Sequence, residues 1–312
     1  MLRKAARMMY RFLILFFFGC VVILFYLNLN IKTPKEVIML PKGTINQIVT
    51  YIAAQSIDAN RLDSFILRFF GSPQSGWIDL GSLALSKGDL FYKLTKSKAA
   101  LKEIKLIPGE TMYFFFKDIA QVFEVEEQAL WDACAKSPRC IEGSFIPQTY
   151  RIPYGAMPED IIWFLLDYSQ KKHRDFAKQH GIVYGSQKWR QILSKAAIIQ
   201  KEAADLKEMP LISAVIENRI KRGMPLQMDG SLNYGKYSHD KVTPKRIRED
   251  MSLFNTYRYK GIPPVPSGSV SFEALEAALK PANVPYLYFV RTRDGKHAFS
   301  ETYQDHKNNF TK

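Results

Sequence analysis

Lys195-Ala-Ala-Ile-Ile-Gln-Lys-Glu-Ala-Ala204 is the stretch on which the reading of this chain turns. Ile192, Ala196, Ile199 and Ala203 follow i, i+4, i+7, i+11 spacing, the stripe of a half-buried helix. Ile198, Glu202 and Leu206 stack one above another beside that stripe, which puts Glu202 at the apolar boundary. A carboxyl there is disfavoured as an anion and keeps its proton toward neutral pH, as a general acid must. Spacing alone favours the plainer alternative, since most helical carboxylates are solvated.

Working outward, Pro210 opens a second helix with Ile212, Val215, Ile216 and Ile220 inward. Lys221 and Arg222 fill its last turn and Gly223 stops it. Asn218 and Arg219 read as structural polar residues at that helix end. Residues 224–231 are a loop or short extended strand with Gln227 and Asp229 on one side. Phe254-Asn-Thr-Tyr257 and Gly261-Ile-Pro-Pro264 form an aromatic and polar loop pair. Asn255 and Tyr257 suit a sugar groove, and a packed tyrosine is the alternative. Ser271 caps a helix ending before Pro281. Residues 286–290, Asp294-Gly295 and 297–299 read as a hairpin.

The N-terminal side has a different character. Phe12 to Leu27 is apolar throughout apart from Gly19, and Leu29 and Ile31 extend it to the ~20 residues a membrane helix needs. Arg3, Lys4, Arg7 and Arg11 precede it with no acid among them, which places the N-terminus in the cytoplasm and the rest outside. No small-x-small site follows the run, against a cleaved signal peptide. Gly19-Cys20 fails as a lipoprotein site because Phe17 and Phe18 are bulky and the run continues past them. The chain has 312 residues and carries +14, and setting aside the four N-terminal charges leaves +10 outside. A basic external surface fits carboxylate-bearing peptidoglycan or anionic lipid rather than nucleic acid, although solvated basic surfaces without a partner are common. Cys134 and Cys140 fit either a small disulfide loop or two unpaired thiols. No metal spacing is present, and no cofactor motif.

Between anchor and helix pair, residues 36–40 read as a strand and Thr44 as a helix cap. A second helix spans 56–70 and a strand 77–80, with Lys87-Gly88 as a turn. Leu90, Leu94 and Leu101 read as helical, 103–107 as a strand, and a helix runs from Thr111 to about Phe123. Lys171 to Gly181 reads as an exposed polar crossing.

Glu142-Gly-Ser-Phe-Ile-Pro-Gln-Thr-Tyr150, Ile198-Ile-x-Lys-Glu202, Val215-x-x-Asn-Arg219, Gly223-Met-x-Leu-Gln-x-Asp229, Asn255-Thr-Tyr257, Gly261-x-Pro-Pro264 and Tyr286-Leu-Tyr-Phe-Val290 occur in that order. Together they resemble the MltG-type (YceG-like) endolytic murein transglycosylases. The resemblance implies an α+β chain: a cytoplasmic tail (1–11), a transmembrane anchor (12–30), a region with a small LysM-like α/β module (31–141), and a mixed α+β catalytic domain (142–312). It implies Glu202 as the catalytic residue, with Gln227, Asp229, Asn255 and Tyr257 holding glycan or Glu202. The implied chemistry is non-hydrolytic. Glu202 protonates the oxygen between MurNAc and GlcNAc, the substrate's N-acetyl group relieves the charge, and Glu202 takes the proton of the 6-hydroxyl as it closes on C1 to a 1,6-anhydroMurNAc end. Such substrate-assisted routes depart from the two-carboxylate plan. The implied partners are peptidoglycan strands, the membrane, in which it would be a single-pass protein of the cytoplasmic (inner) membrane, and peptidoglycan synthases. Gln200 stands where the family often has glutamate, and Met228 and Gly230 replace a common Thr and Pro. A catalytically silent wall-binding scaffold and a hydrolytic muramidase using Asp229 are the competing readings.

Overall fold

The computed structural model describes residues 2–98 and 101–310. They form two compact units, Met1–Lys102 with Arg151–Asp160, and Glu103–Tyr150 with Ile161–Lys312. The expected boundary at 142 therefore falls inside the second unit. Residues 103–141 belong with the C-terminal part rather than with a separate N-terminal region.

In the first unit, α1 (Leu2–Leu27) contains an apolar stretch, Arg7–Leu27, of mean hydropathy 2.4, none of it buried within the protein. It is long and apolar enough to cross a membrane. β1 (Asn30–Lys32) and β2 (Val37–Leu40) lead into α2 (Ile45–Ala54) and α3 (Arg61–Phe70). β3 (Gly76–Asp79) returns antiparallel to β2, so the expected strand–helix–helix–strand order is present. Thr44 and Asn60 cap the two helices through reciprocal bonds with Gln47 and Asp63. β4 (Ala84–Ser86) pairs with β1, and α4 (Lys87–Lys96) follows at once.

Two expectations are corrected here. Lys87-Gly88 is the first turn of α4, because Ser86 and Asp89 form a capping box. The Lys87 side chain is buried, with Nζ 2.9 Å from Asp63 Oδ2 and 3.1 Å from the Asp58 carbonyl. Leu101 is not helical. α4 ends at Lys96, and Leu101 opens β5 (Leu101–Leu106).

The second unit holds α5 (Met112–Phe123), α6 (Glu127–Ala135) and the first half, Gln148–Tyr150, of β6 (Gln148–Pro153), the strand that pairs with β5. Cys134 and Cys140 form a disulfide, Cα atoms 5.4 Å apart. The segment read as an exposed crossing is the second half of α7 (Pro158–Gln179). Its polar surface misleads because Gln170, His173, Phe176 and Ala177 repeat at helical spacing and are buried. α8 (Gln187–Glu202) packs on α9 (Met209–Lys221) and α12 (Phe272–Leu279). Ile192, Ala196, Ile199, Ile212, Val215 and Leu275 are shared in one core. Between α9 and α12 lie two short helices, α10 (Asp229–Leu232) and α11 (Pro244–Glu249). β7 (Tyr288–Arg291) and β8 (His297–Ser300) make the expected hairpin, and α13 (Tyr303–Asn309) follows.

Candidate active site

α8 begins at Ser186, whose hydroxyl accepts the Trp189 N–H, and stops at Glu202 because Ala203 turns extended. Leu206 consequently lies off the helix, in an exposed loop, and not above Glu202 as periodicity had it. Glu202 is the last helical residue, where the helix dipole opposes a negative charge. Its Oε1 accepts the N–H of Gly230, 2.6 Å away, in the first turn of α10. Burial pushes the carboxyl up, the Gly230 bond pulls it down, and Asp229 adds a push, leaving it at about 7. That is the poise of a group that gives a proton and takes one back near neutrality.

The approach of α10 to α8 is close. A Cβ on Gly230 would lie 2.8 Å from Lys201 Cβ and 2.9 Å from Glu202 Oε1, so any side chain here requires this contact to shift. Lys201 holds the same segment from the other side. Its buried ammonium donates to the Asn233 carbonyl and, at 3.0 Å, to Ser238 Oγ. Burial lowers its pKa to about 8 against the pull of Glu142 and Glu110. Glu142, which opens the 142–150 motif, accepts the Met112 N–H at 3.1 Å and is pushed to about 7 by burial. Glu110 pairs with His239 at 2.8 Å, whose ring stacks on Phe114.

The expected site residues have separate positions. Asp229 is exposed and its Oδ1 accepts the Tyr257 hydroxyl at 2.7 Å. Burial, then Asp229 and Glu202, push that hydroxyl's pKa well up, so Tyr257 stays a donor. Gln227 is exposed, at φ +52°, and its N–H bonds the Thr256 carbonyl at 3.1 Å. Asn255 does not line an open groove, and that expectation is corrected. Its side chain is buried, donating to the Ile247 and Asp250 carbonyls at 2.8 Å each and accepting the Tyr257 N–H at 3.1 Å. A buried amide must satisfy its polar atoms, and here the backbone of residues 247–257 supplies the partners.

Sequence reasoning missed Lys201, Gly230 and Thr256 as parts of this assembly. Thr256 is buried beside Asn255, and its hydroxyl accepts the Met228 N–H at 3.0 Å, tying the two loops together. Arg219 acts as expected, structurally. Its guanidinium donates to Leu287 and Leu226 carbonyls at 2.7 and 2.6 Å and fixes the chain entering Gln227. No group of three or more metal-ligating side chains occurs among the described residues.

Fold and site define a class: an α+β chain with an apolar N-terminal helix and one proton-poised glutamate closing a buried helix. The chain belongs to the YceG-like family, which matches residues 38–312. It is 31% identical over 174 residues to an endolytic murein transglycosylase of Bacillus subtilis (strain 168), covering 53% of this chain and 46% of that protein. A second endolytic murein transglycosylase, of Streptococcus pneumoniae serotype 2 (strain D39), is 27% identical over 178 residues, 54% of this chain and 31% of that one. The matched stretches thus span less than half the length of these relatives. A yceG-like protein of Listeria monocytogenes shares the fold, with a TM-score of 0.58 at 23% identity over 88% of this chain and 99% of that structure.

Proposed function

We propose that this chain is a membrane-anchored endolytic peptidoglycan transglycosylase that cleaves MurNAc–GlcNAc bonds of nascent strands to 1,6-anhydroMurNAc ends. The observation that carries the reading is Glu202 itself, raised to about 7 and held by the Gly230 N–H in a family whose relatives bear that name. Protonated, Glu202 gives its proton to the glycosidic oxygen. As a carboxylate it then takes the proton of the MurNAc 6-hydroxyl. One carboxyl serves both steps because no water is activated. Asp229, Gln227 and Tyr257 position glycan at the site, while Asn255 acts indirectly by holding the loop that presents Tyr257. Tyr234, Tyr237 and Arg246 line a groove of about 420 Å³, in which the Tyr234 ring stacks on Phe254 and the Arg246 guanidinium lies over the Tyr237 ring.

In this reading α1 is a single-pass anchor in the cytoplasmic membrane with its N-terminus inside and both units outside. The β2–α2–α3–β3 arrangement is a LysM-like module, peptidoglycan is the polymer partner, and synthases of that polymer are the protein partners. Digestion of purified glycan strands followed by mass analysis tests the reaction. Anhydro-ended products support it. Products heavier by one water identify a hydrolytic muramidase, and uncleaved strands identify a silent wall-binding protein.

A further inference from the structure

α3 has two unlike faces. Asp63, Ser64, Ile66 and Leu67 point inward and are buried. Leu62, Phe65 and Phe69 point outward and are 50%, 59% and 78% exposed, flanked by exposed Arg61 and Arg68. Large apolar side chains gathered on one exposed helical stripe mark an interaction surface, unlike apolar residues scattered singly. The position of this helix says what the surface meets. Tyr26, the next-to-last residue of α1, donates its hydroxyl to Asp63 Oδ1 at 2.7 Å. Asn60, the N-cap of α3, donates to the same hydroxyl at 3.2 Å. The start of α3 is thus tied to the end of the apolar helix, within side-chain reach of the level at which that helix leaves a bilayer. Aromatic residues concentrate at that level. A helix with aromatic and leucine side chains on one face and arginines at its margins is built to lie in a headgroup layer.

We infer that the Leu62–Phe65–Phe69 face of α3 is a lipid-docking surface, seated in the headgroup region of the membrane that α1 enters, with Arg61 and Arg68 against anionic lipid phosphates. The inference rests on the reading of α1 as a membrane anchor. It gives the first unit a second attachment to the bilayer, so that the unit does not swing freely on the short link after Leu27.

The test uses the full chain reconstituted into vesicles of phosphatidylcholine and phosphatidylglycerol. Single variants Leu62→Cys, Phe65→Cys and Phe69→Cys, each on a Cys20→Ser background that removes the free thiol, carry a nitroxide label. Ser75→Cys is the aqueous control. It is exposed and adjoins Gln74, whose N–H bonds the Leu94 carbonyl at the opposite end of α4 from Lys87. Collision with oxygen, which partitions into lipid, is compared with collision with a water-soluble nickel chelate. The expected result is an oxygen-to-nickel ratio several-fold higher at 62, 65 and 69 than at 75. Ratios at 65 and 69 equal to that at 75, with the protein still floating with the vesicles, overturn the lipid surface while leaving the anchor intact. Spin–spin broadening between labels assigns the face to a second copy and likewise overturns it. Failure to float removes the anchor, and this inference with it.

Discussion

Gly230→Ala isolates the hydrogen bond that pulls down the proton affinity of Glu202, which burial raises. The new Cβ would meet Lys201 Cβ at 2.8 Å and Glu202 Oε1 at 2.9 Å. Lys201 Cβ sits at the base of a side chain whose ammonium is fixed at Ser238, so the relief must come from α10 moving away. The Gly230 N–H then leaves Glu202. A hydrogen bond to a charged group is worth roughly 1.5–3 kcal/mol. One pKa unit is about 1.4 kcal/mol, so the carboxyl should rise by about 1–2 units from its starting value of about 7. In the proposed reaction the free enzyme carries Glu202 protonated, so kcat/KM is expected to fall as pH rises through this pKa. The variant should move that alkaline limb upward by about 1–2 pH units, with any loss in the plateau reported separately. Initial rates on purified glycan from pH 5 to 10 measure both, with melting temperature as the check on folding. A folded variant with a lowered plateau and an unmoved limb would refute the argument, because strain alone lowers rates without changing proton affinity.

Glu202→Gln should lower cleavage by on the order of 10²-fold or more with an unchanged circular dichroism spectrum, since the amide has no proton to give; near-normal turnover would sink the assignment. Asn255→Ala and Tyr257→Ala should part company. The first leaves two part-buried carbonyls without their donor and should cost about 1–3 kcal/mol in urea unfolding. The second, half-buried and partnered with exposed Asp229, should reduce turnover far more than melting temperature. Stability should also depend on pH in a definite sense. Glu202 and Glu142 hold protons up to about 7 in the folded chain, against about 4.3 unfolded, so folded protein binds more protons between those values. Their contribution is complete below about pH 4.3 and is lost as pH rises toward 7, by a few kcal/mol per group at most. Urea midpoints across this window should decline for the wild type and less steeply in Glu142→Gln, where only Glu202 still titrates, and a flat wild-type profile would show that these carboxyls are not held protonated.

The sequence alone determined the elements whose signals are local. The apolar run of α1, the stripe of α8 as far as Glu202, the proline start of α9 and the Asp294-Gly295 turn each depend on near neighbours, and each is found where the local pattern put it. Glu202 stood out in the sequence through the ordered motifs around it, while the groups that shift its pKa, Gly230 and Asp229, come from α10. Tertiary structure decided what depends on residues far apart in the chain. Asn255 belongs to the loop rather than a cleft because Ile247 and Asp250 turn their carbonyls toward it. Lys201 reads as an exposed helical lysine until the 233–238 segment folds over it and burial makes its bonds there obligatory. Lys87 looked like a surface turn until Asp63, on another helix, drew its ammonium inward. Gly230 shows the reason most plainly. In sequence it is an ordinary loop glycine, and only the approach of α10 to the end of α8 leaves its N–H pointing at Glu202 with no room for a side chain.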